Sequence, residues 1–303
     1  MVGVNELATA ERRAGIIRAV RAFFDTNGFI EVETPARILA PAPESQIDAP
    51  PSGPAFLRAS PELQMKLLLC AGYPKIYQIG PCFRLGECGR RHNPEFTLLE
   101  WYRADSDYLQ MLSDTEGLLT ALAGDGITYR GRRIDLRPPW PRVRVRDAFL
   151  QWAGWDPVEH WDADRFDLDM VSKVEPSLPQ DRPCVLMDYP EPAASLARLK
   201  PDDGKVAERW EVYIGGLELA NAYSELCDAA AQRRRFEEST EDRRALGKAE
   251  YPLDEDFLGA LEYPGMPPSG GIALGVDRLV MLHTDAADIA DVRQFCQRPG
   301  QIF

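Results

Sequence analysis

The segment that most constrains this chain is Phe83–Phe96: a Phe83-Arg84 pair, a polar, glycine-containing loop over Arg84–Pro94, and the run Arg90-Arg91-His92-Asn93-Pro94-Glu95-Phe96. Strand-like patterning flanks it, over Ile76–Phe83 and Phe96–Trp101, so the loop is expected to join two strands. A second arginine-bearing unit lies far downstream. Gly271-Ile272-Ala273-Leu274-Gly275-Val276-Asp277-Arg278 reads as a glycine-containing strand, Ile272–Gly275, running into a helix over Asp277–Leu282. A third unit comes first in the chain. Ile16, Ile17, Val20, Phe23 and Phe24 fall at helical spacing behind Thr9, a candidate cap, and end at Asn27-Gly28. Phe29–Thr34 then alternates as a strand, and Pro35 ends it.

Between these units the pattern predicts a loop over Leu39–Pro54 and a helix to Leu69, with Ser60 as cap, Pro61 in the first turn and Glu62 near the positive end. Tyr108–Ala123 is helical in spacing. Pro138–Arg182 is mixed and charged, and is expected to be helical. Strands follow at Cys184–Tyr189, Trp210–Ile214 and Glu218–Tyr223, then a charged helix over Ala229–Leu246 and a loop through Gly270. Strands joined by hairpin-like loops, with helices outside, predict an α+β fold built on an antiparallel β-sheet flanked by helices.

Composition excludes several classes. With 45% hydrophobic and 27% charged residues the chain is an ordinary globular one. No apolar run is long enough for a membrane span, and no signal-peptide core precedes Arg12. The six cysteines are scattered without a CxxC pair, which argues against a disulfide scaffold or zinc site and favours a reducing cytoplasm. A formal net charge of −13 argues against extensive nucleic-acid binding, since such affinity rests on basic surface.

Taken in order, the three units resemble the signature motifs of class II aminoacyl-tRNA synthetases: the first at about 9–35, the second at about 76–103, the third at about 270–283. The resemblance covers nearly the whole chain and is closest to the lysyl-tRNA synthetase group, through SPELQMK, RHNPEFTLLEWY, DYPEPAASLAR and GLELANAYSEL. Within that group, the FRLGECGRRHNPEFTLLEWYR and GIALGVDRLVML segments are most similar to the stand-alone ligases that attach lysine or β-lysine to elongation factor P. The fold implied is the class II catalytic fold. The activity implied is ATP-dependent activation of a lysine-like amino acid as an acyl-adenylate.

The resemblance also implies roles for individual residues. Arg84 would bridge the α-phosphate and the substrate carboxylate, and Arg278 would hold the γ-phosphate; the guanidinium fork suits both tasks. His92 would contact the triphosphate, Phe96 would stack on adenine, and Glu87 would read the adenine amine. Glu211 and Glu218 would hold magnesium, a hard cation that needs few protein oxygens. Glu62 would take the α-amino group, with Glu100, Tyr102 and Glu225 around the side-chain amine and Asn221 and Tyr223 lining the site. A cationic side chain demands such buried anions.

Two positions depart from the synthetase pattern. The second motif reads Phe83-Arg84-Leu85-Gly86-Glu87, one residue out of step with Phe-Arg-x-Glu. Ala273 stands where lysyl-tRNA synthetases carry glycine, a change the resemblance links to the ligases and to β-lysine. Eight residues precede Thr9 and 25 follow Arg278. These lengths predict a single catalytic domain over 1–303 without an anticodon-binding domain, with tRNA an improbable acceptor and elongation factor P the expected one. A homodimer with Pro35 near its two-fold axis is also expected. Two other readings stand beside this one: a truncated synthetase-like enzyme acting on a tRNA or another small acceptor, and a non-catalytic regulatory paralog that binds an amino acid.

Overall fold

The computed structural model describes residues 7–296. The chain opens with α1 (Leu7–Thr26), β1 (Ile30–Glu31), β2 (Arg37–Ile38), β3 (Pro51–Ser52) and β4 (Ala55–Leu57), then α2 (Glu62–Cys70). Two long strands follow, β5 (Lys75–Phe83) and β6 (Glu95–Ala104), then α3 (Tyr108–Ala123) and the hairpin β7 (Gly126–Tyr129) and β8 (Arg132–Asp135). The middle segment holds β9 (Arg142–Arg144), α4 (Val145–Ala148), α5 (Ala163–Asp169) and α6 (Glu175–Ser177), with π-helical turns at Phe149–Ala153 and Met170–Val174. The last part holds β10 (Cys184–Pro190), β11 (Leu199–Lys200), β12 (Asp203–Ile214), β13 (Leu217–Ser224), α7 (Ala229–Ala245), α8 (Glu255–Glu262), β14 (Ser269–Gly275) and α9 (Val276–Thr284).

A nine-stranded sheet runs β1-β5-β6-β14-β13-β12-β10-β9, with β11 beside β12. Its six central strands pair antiparallel, as expected, but both end pairings, β1 with β5 and β9 with β10, are parallel. The two-residue period of a strand then divides the sheet. Leu99 and Trp101 of β6, Trp210, Val212 and Ile214 of β12, and Ile272 and Leu274 of β14 enter one large apolar core beneath α1, α3 and α9. Their alternates Glu100, Tyr102, Arg209, Glu211, Gly271 and Ala273 line a cavity instead. In the core, Phe24 of α1 stacks on Tyr77 with centroids 4.6 Å apart and meets Trp101 at 5.1 Å. Truncating such an aromatic to alanine costs about 3–5 kcal/mol.

Several local expectations are corrected. Thr9 lies inside α1, which already runs at Leu7. Only Ile30–Glu31 of the Phe29–Thr34 segment is strand; beyond it Val32 N donates to Tyr77 O, and Thr34 N donates to the Gln78 side chain rather than to a backbone carbonyl. Pro61 sits at the cap of α2 rather than inside it, while the Ser60 hydroxyl still accepts from Glu62 N at 3.0 Å. The region expected to be a loop through Gly270 contains α8, capped by Asp254, and β14 already starts at Ser269. The Pro138–Arg182 region is largely helical but contributes the edge strand β9. Among the described residues no helix is long and apolar enough to cross a membrane.

Candidate active site

One cavity of about 1030 Å³ opens over the polar face of the sheet. Every residue singled out by sequence lines it: Glu62, Arg84, Glu87, His92, Phe96, Glu100, Tyr102, Glu211, Glu218, Asn221, Tyr223, Glu225, Ala273 and Arg278. They converge because β5–β6, β14 and β13–β12 are neighbours in the sheet although far apart in sequence. Register places Ala273 directly between Glu100 and Asn221.

At one end the groups are cationic and partly open. The Arg84 guanidinium lies over the Phe96 ring, 5.1 Å from its centroid, and 3.7 Å from a Glu87 oxygen. Its Nε is buried and has no hydrogen-bond partner among the described residues. A buried donor left unpaired is costly, and an incoming phosphate or carboxylate oxygen would satisfy it. Gly86 adopts a left-handed conformation (φ 80°) that sends Leu85 outward and brings Glu87 to the cavity wall. Arg278 donates through Nη1 to the Glu218 carbonyl at 2.7 Å and lies 3.2 Å from the Glu218 carboxylate. Its Nη2 lies 2.8 Å from His92 Nε2. A guanidinium can only donate, so Nε2 accepts and the ring is neutral; partial burial and Arg278 both lower the His92 pKa.

Glu211 and Glu218 stand on adjacent strands. Arg209 donates to Glu211 Oε1 at 2.5 Å and the Tyr213 hydroxyl to Oε2 at 2.7 Å. Desolvation by the cavity walls, followed by the like charge of Glu211, raises the pKa of Glu218, although its side chain is still partly open to solvent. A divalent cation would relieve that repulsion, and two carboxylates with phosphate oxygens and water form a suitable donor set for magnesium. The described residues therefore fit the ion.

The opposite end is anionic and closed. Glu100 is 1% exposed; its Oε1 accepts from the Ser60 hydroxyl at 2.6 Å and its Oε2 from the Tyr102 hydroxyl at 2.8 Å. Burial, then the neighbouring Glu62, pushes the Glu100 pKa up to about 8. Glu225 follows β13 and is also 1% exposed. Gly271 is needed beside it, because a Cβ there would run into the Glu225 carboxylate and the Tyr102 ring. Asn221 donates to the Tyr223 hydroxyl at 2.8 Å, bracing the side wall.

Several residues of the site escape a reading of sequence. Lys66, wholly buried, lies 2.6 Å from Glu62 and 2.5 Å from Glu225. Arg209 stacks over Tyr189 at 4.3 Å while it holds Glu211. Glu44 enters from the loop after β2, where Arg243 holds the Glu44 and Ile47 carbonyls at 2.8 and 2.9 Å. For Lys66 the signal was present in SPELQMK, but a lysine four residues after a glutamate also describes any solvated helix face. Asp277, by contrast, belongs to a motif yet serves the frame. It accepts from Arg13 at 2.6 Å, from Thr97 N at 2.9 Å and from Arg293 at 3.1 Å, tying α1, β6 and α9 together.

Comparison with known proteins agrees with this architecture. Residues 5–299 match the family described as tRNA synthetases class II (D, K and N). The chain is similar to the lysine–tRNA ligase of Moorella thermoacetica, 39% identical over 93% of this chain and 64% of the relative. It is also similar to the elongation factor P–(R)-β-lysine ligases of Hamiltonella defensa (38% identical; 94% of this chain, 93% of the relative) and Proteus mirabilis (39%; 95% of each). It thus spans a little under two thirds of the first relative's length and nearly all of the other two. By family match and relatives alike, the chain belongs to the class II tRNA synthetases of the D, K and N group.

Proposed function

We propose that the protein activates lysine or β-lysine with ATP, forming an aminoacyl-adenylate, and transfers the acyl group to a lysine side chain of elongation factor P. The observation that carries this reading is the polarity of the cavity over the sheet: unsatisfied or loosely paired cationic groups at one end, closed carboxylates at the other. In the first step a substrate carboxylate oxygen attacks the α-phosphorus and pyrophosphate leaves. Arg84 would neutralise both reactants, Arg278 and His92 would hold the outgoing phosphates, Phe96 would stack on the base, and Glu87 would accept from the adenine amine. Magnesium, held by Glu211 and Glu218, would supply neutralisation of triphosphate charge. Glu62 would take the amino group nearer the carboxylate, Glu100 and Glu225 the distal ammonium with Tyr102, and Asn221, Tyr223 and Ala273 would bound the chain between them. In the second step an acceptor amine attacks the acyl carbonyl and AMP leaves.

The protein acceptor is supported by the relatives named as elongation factor P ligases, at 38–39% identity over nearly their whole length. A tRNA acceptor is the second reading, favoured by the relatives named as lysine–tRNA ligases. The site draws its described residues from α2, from β5–β6 and their loop, from β12–β14 and from α9, so residues 1–303 are proposed to work as one catalytic unit. A homodimer through the first motif is proposed too, since Ile30 and Leu39, 48% and 71% exposed, bracket Pro35; sedimentation would read its mass. Cysteines scattered without a CxxC pair fit the proposed reducing cytoplasm.

ATP–pyrophosphate exchange with lysine, β-lysine, ornithine, arginine and leucine tests the first step. Exchange driven by lysine or β-lysine alone supports the reading. Exchange with none of them overturns it and favours a non-catalytic amino-acid-binding paralog. Radiolabel transferred to purified elongation factor P and resistant to ribonuclease supports the protein acceptor; ribonuclease-sensitive label would establish the tRNA acceptor.

A further inference from the structure

Helix α2 places Glu62 and Lys66 one turn apart, and both side chains turn inward. Lys66 is 0% exposed, a position a lysine tolerates only when its charge is matched. It is matched twice: Nζ is 2.6 Å from Glu62 Oε1 and 2.5 Å from Glu225 Oε2, carboxylates from different parts of the chain. Burial opposes its charge, but Glu225 and Glu62 outweigh that and keep the ammonium protonated. One oxygen of each acid is thereby taken. The other, Glu62 Oε2 and Glu225 Oε1, accepts no hydrogen bond from the described residues although both acids line the cavity. The third acid, Glu100, is held by the Ser60 and Tyr102 hydroxyls, which fix its position without neutralising it.

The groups in direct contact with one another or with Tyr102, namely Glu62, Glu100, Glu225 and Lys66, are three carboxylates and one ammonium, a balance of −2 when all are ionised; Glu44 and buried Arg58 beside them are opposite in charge and leave that balance unchanged. A diamino acid brings two ammonium groups and makes the floor neutral. An amino acid with one ammonium leaves an uncompensated buried charge, the costliest arrangement available. We propose that Lys66 is a positioning residue that fixes Glu62 and Glu225 as the two arms of the amine site and sets the charge of its floor to match a substrate with two ammonium groups. This rests on the amino-acid-activating function proposed above. Lys66 touches neither the reacting carboxylate nor ATP; it acts through the two glutamates.

The test compares wild type with Lys66→Met and Lys66→Gln, which keep much of the side-chain length and remove the charge. Pyrophosphate exchange gives KM for lysine and for ATP separately. Calorimetry of lysine binding, in buffers that differ in ionisation enthalpy, counts the protons released or taken up. Without Lys66 the floor would hold an extra proton in one carboxylate. KM for lysine should then rise by about tenfold or more and KM for ATP should stay within about twofold; at a pH high enough for the free variant to have lost that proton, binding should take up about one proton relative to wild type, because only its retention makes the floor neutral. An unchanged KM for lysine, or parallel loss of both KM values and of the melting temperature without a change in proton count, would overturn the proposal by reducing Lys66 to packing. If neither variant folds, 15N-lysine-labelled wild type decides: the Lys66 ammonium signal must be protected from exchange and shift on adding lysine, and a static signal overturns the idea. Absence of exchange in wild type with any diamino acid would instead remove the underlying function, a separate failure.

Discussion

The two ends of the cavity, the cationic one proposed for the nucleotide and the anionic one proposed for the amino acid, are built on opposite terms. At the nucleotide end the paired side chains remain open to solvent: Arg84 and Glu87 are 28% and 32% exposed, and Glu218 is 41% exposed. At the amino-acid end Lys66, Glu225 and Glu62 are 0%, 1% and 12% exposed. Open pairs are worth little to the fold and exchange partners cheaply, so triphosphate can replace the Glu218 and His92 contacts of Arg278 with little loss. Closed charges cannot be rearranged without large cost, so they suit recognition of one fixed charge pattern. On the proposed function, rate enhancement would fall where side chains are free to change partners, and selectivity where they are not.

Breaking the open end should give the largest kinetic effect and the smallest structural one. Arg278→Ala is expected to lower kcat/KM for exchange by roughly 10²–10³-fold, the scale for losing one group that stabilises developing charge. Its melting temperature should hardly move, because the pair it loses is partly exposed. Glu225→Gln attacks the closed end. It should raise KM for lysine by roughly 10- to 100-fold with KM for ATP unchanged, and it should lower the melting temperature, because Lys66 keeps only Glu62 as a charged partner. Equal effects of both variants on both substrates would dissolve the distinction between the ends.

The open end was largely legible in the sequence and the closed end only in part, for physical reasons. Arg84, His92 and Arg278 were legible through the resemblance of their strand–loop and strand–helix units to the class II motifs; taken singly, each could have been an ordinary surface residue, as the Arg84–Glu87 pair shows. Lys66 has an obvious local partner in Glu62, and nothing in the spacing says that the pair faces inward; that depends on Glu225 arriving from 159 positions downstream. The helix α8 was hidden because Pro252, Gly259 and Pro264 outweighed the spacing of Phe257, Leu258 and Leu261. The parallel edge pairing of β1 was hidden because it rests on two residues and on β5, with α2 lying between them in the chain. The alternation along β6, which sends Trp101 to the core and Glu100 and Tyr102 to the site, was readable as a strand but not as a division between core and cavity.

The closed end should also respond to pH where the open end does not. Glu100, pushed up to about 8 by burial and then by Glu62, is faced by the Ser60 and Tyr102 hydroxyls, by Arg58, and by the Lys66–Glu225 pair beyond Tyr102. Below that value it is mostly protonated in the empty site, whereas a cationic substrate binds the ionised form. Substrate binding must then expel a proton. KM for lysine should fall as pH rises from about 6 to about 8, by at most about tenfold per unit, and level off above. Glu100→Gln should raise KM for lysine and flatten this dependence. A profile for lysine that parallels the one for ATP would remove Glu100 as its cause.

Ionic strength should produce the smallest effect and separate the ends without any substitution. Raising salt from about 0.1 M to 1 M shortens the screening length from about 10 Å to about 3 Å, which weakens interactions between charges in contact with solvent and barely touches those shielded from it. The approach of triphosphate to Arg84 and Arg278 belongs to the first kind, and the hold of Glu225 and Lys66 on each other to the second. KM for ATP is therefore expected to rise by about two- to fivefold over this range, while KM for lysine changes by less than about twofold. A larger salt effect on lysine than on ATP would mean that the amine site opens to solvent before substrate arrives, and that its buried charges are assembled by binding rather than waiting for it.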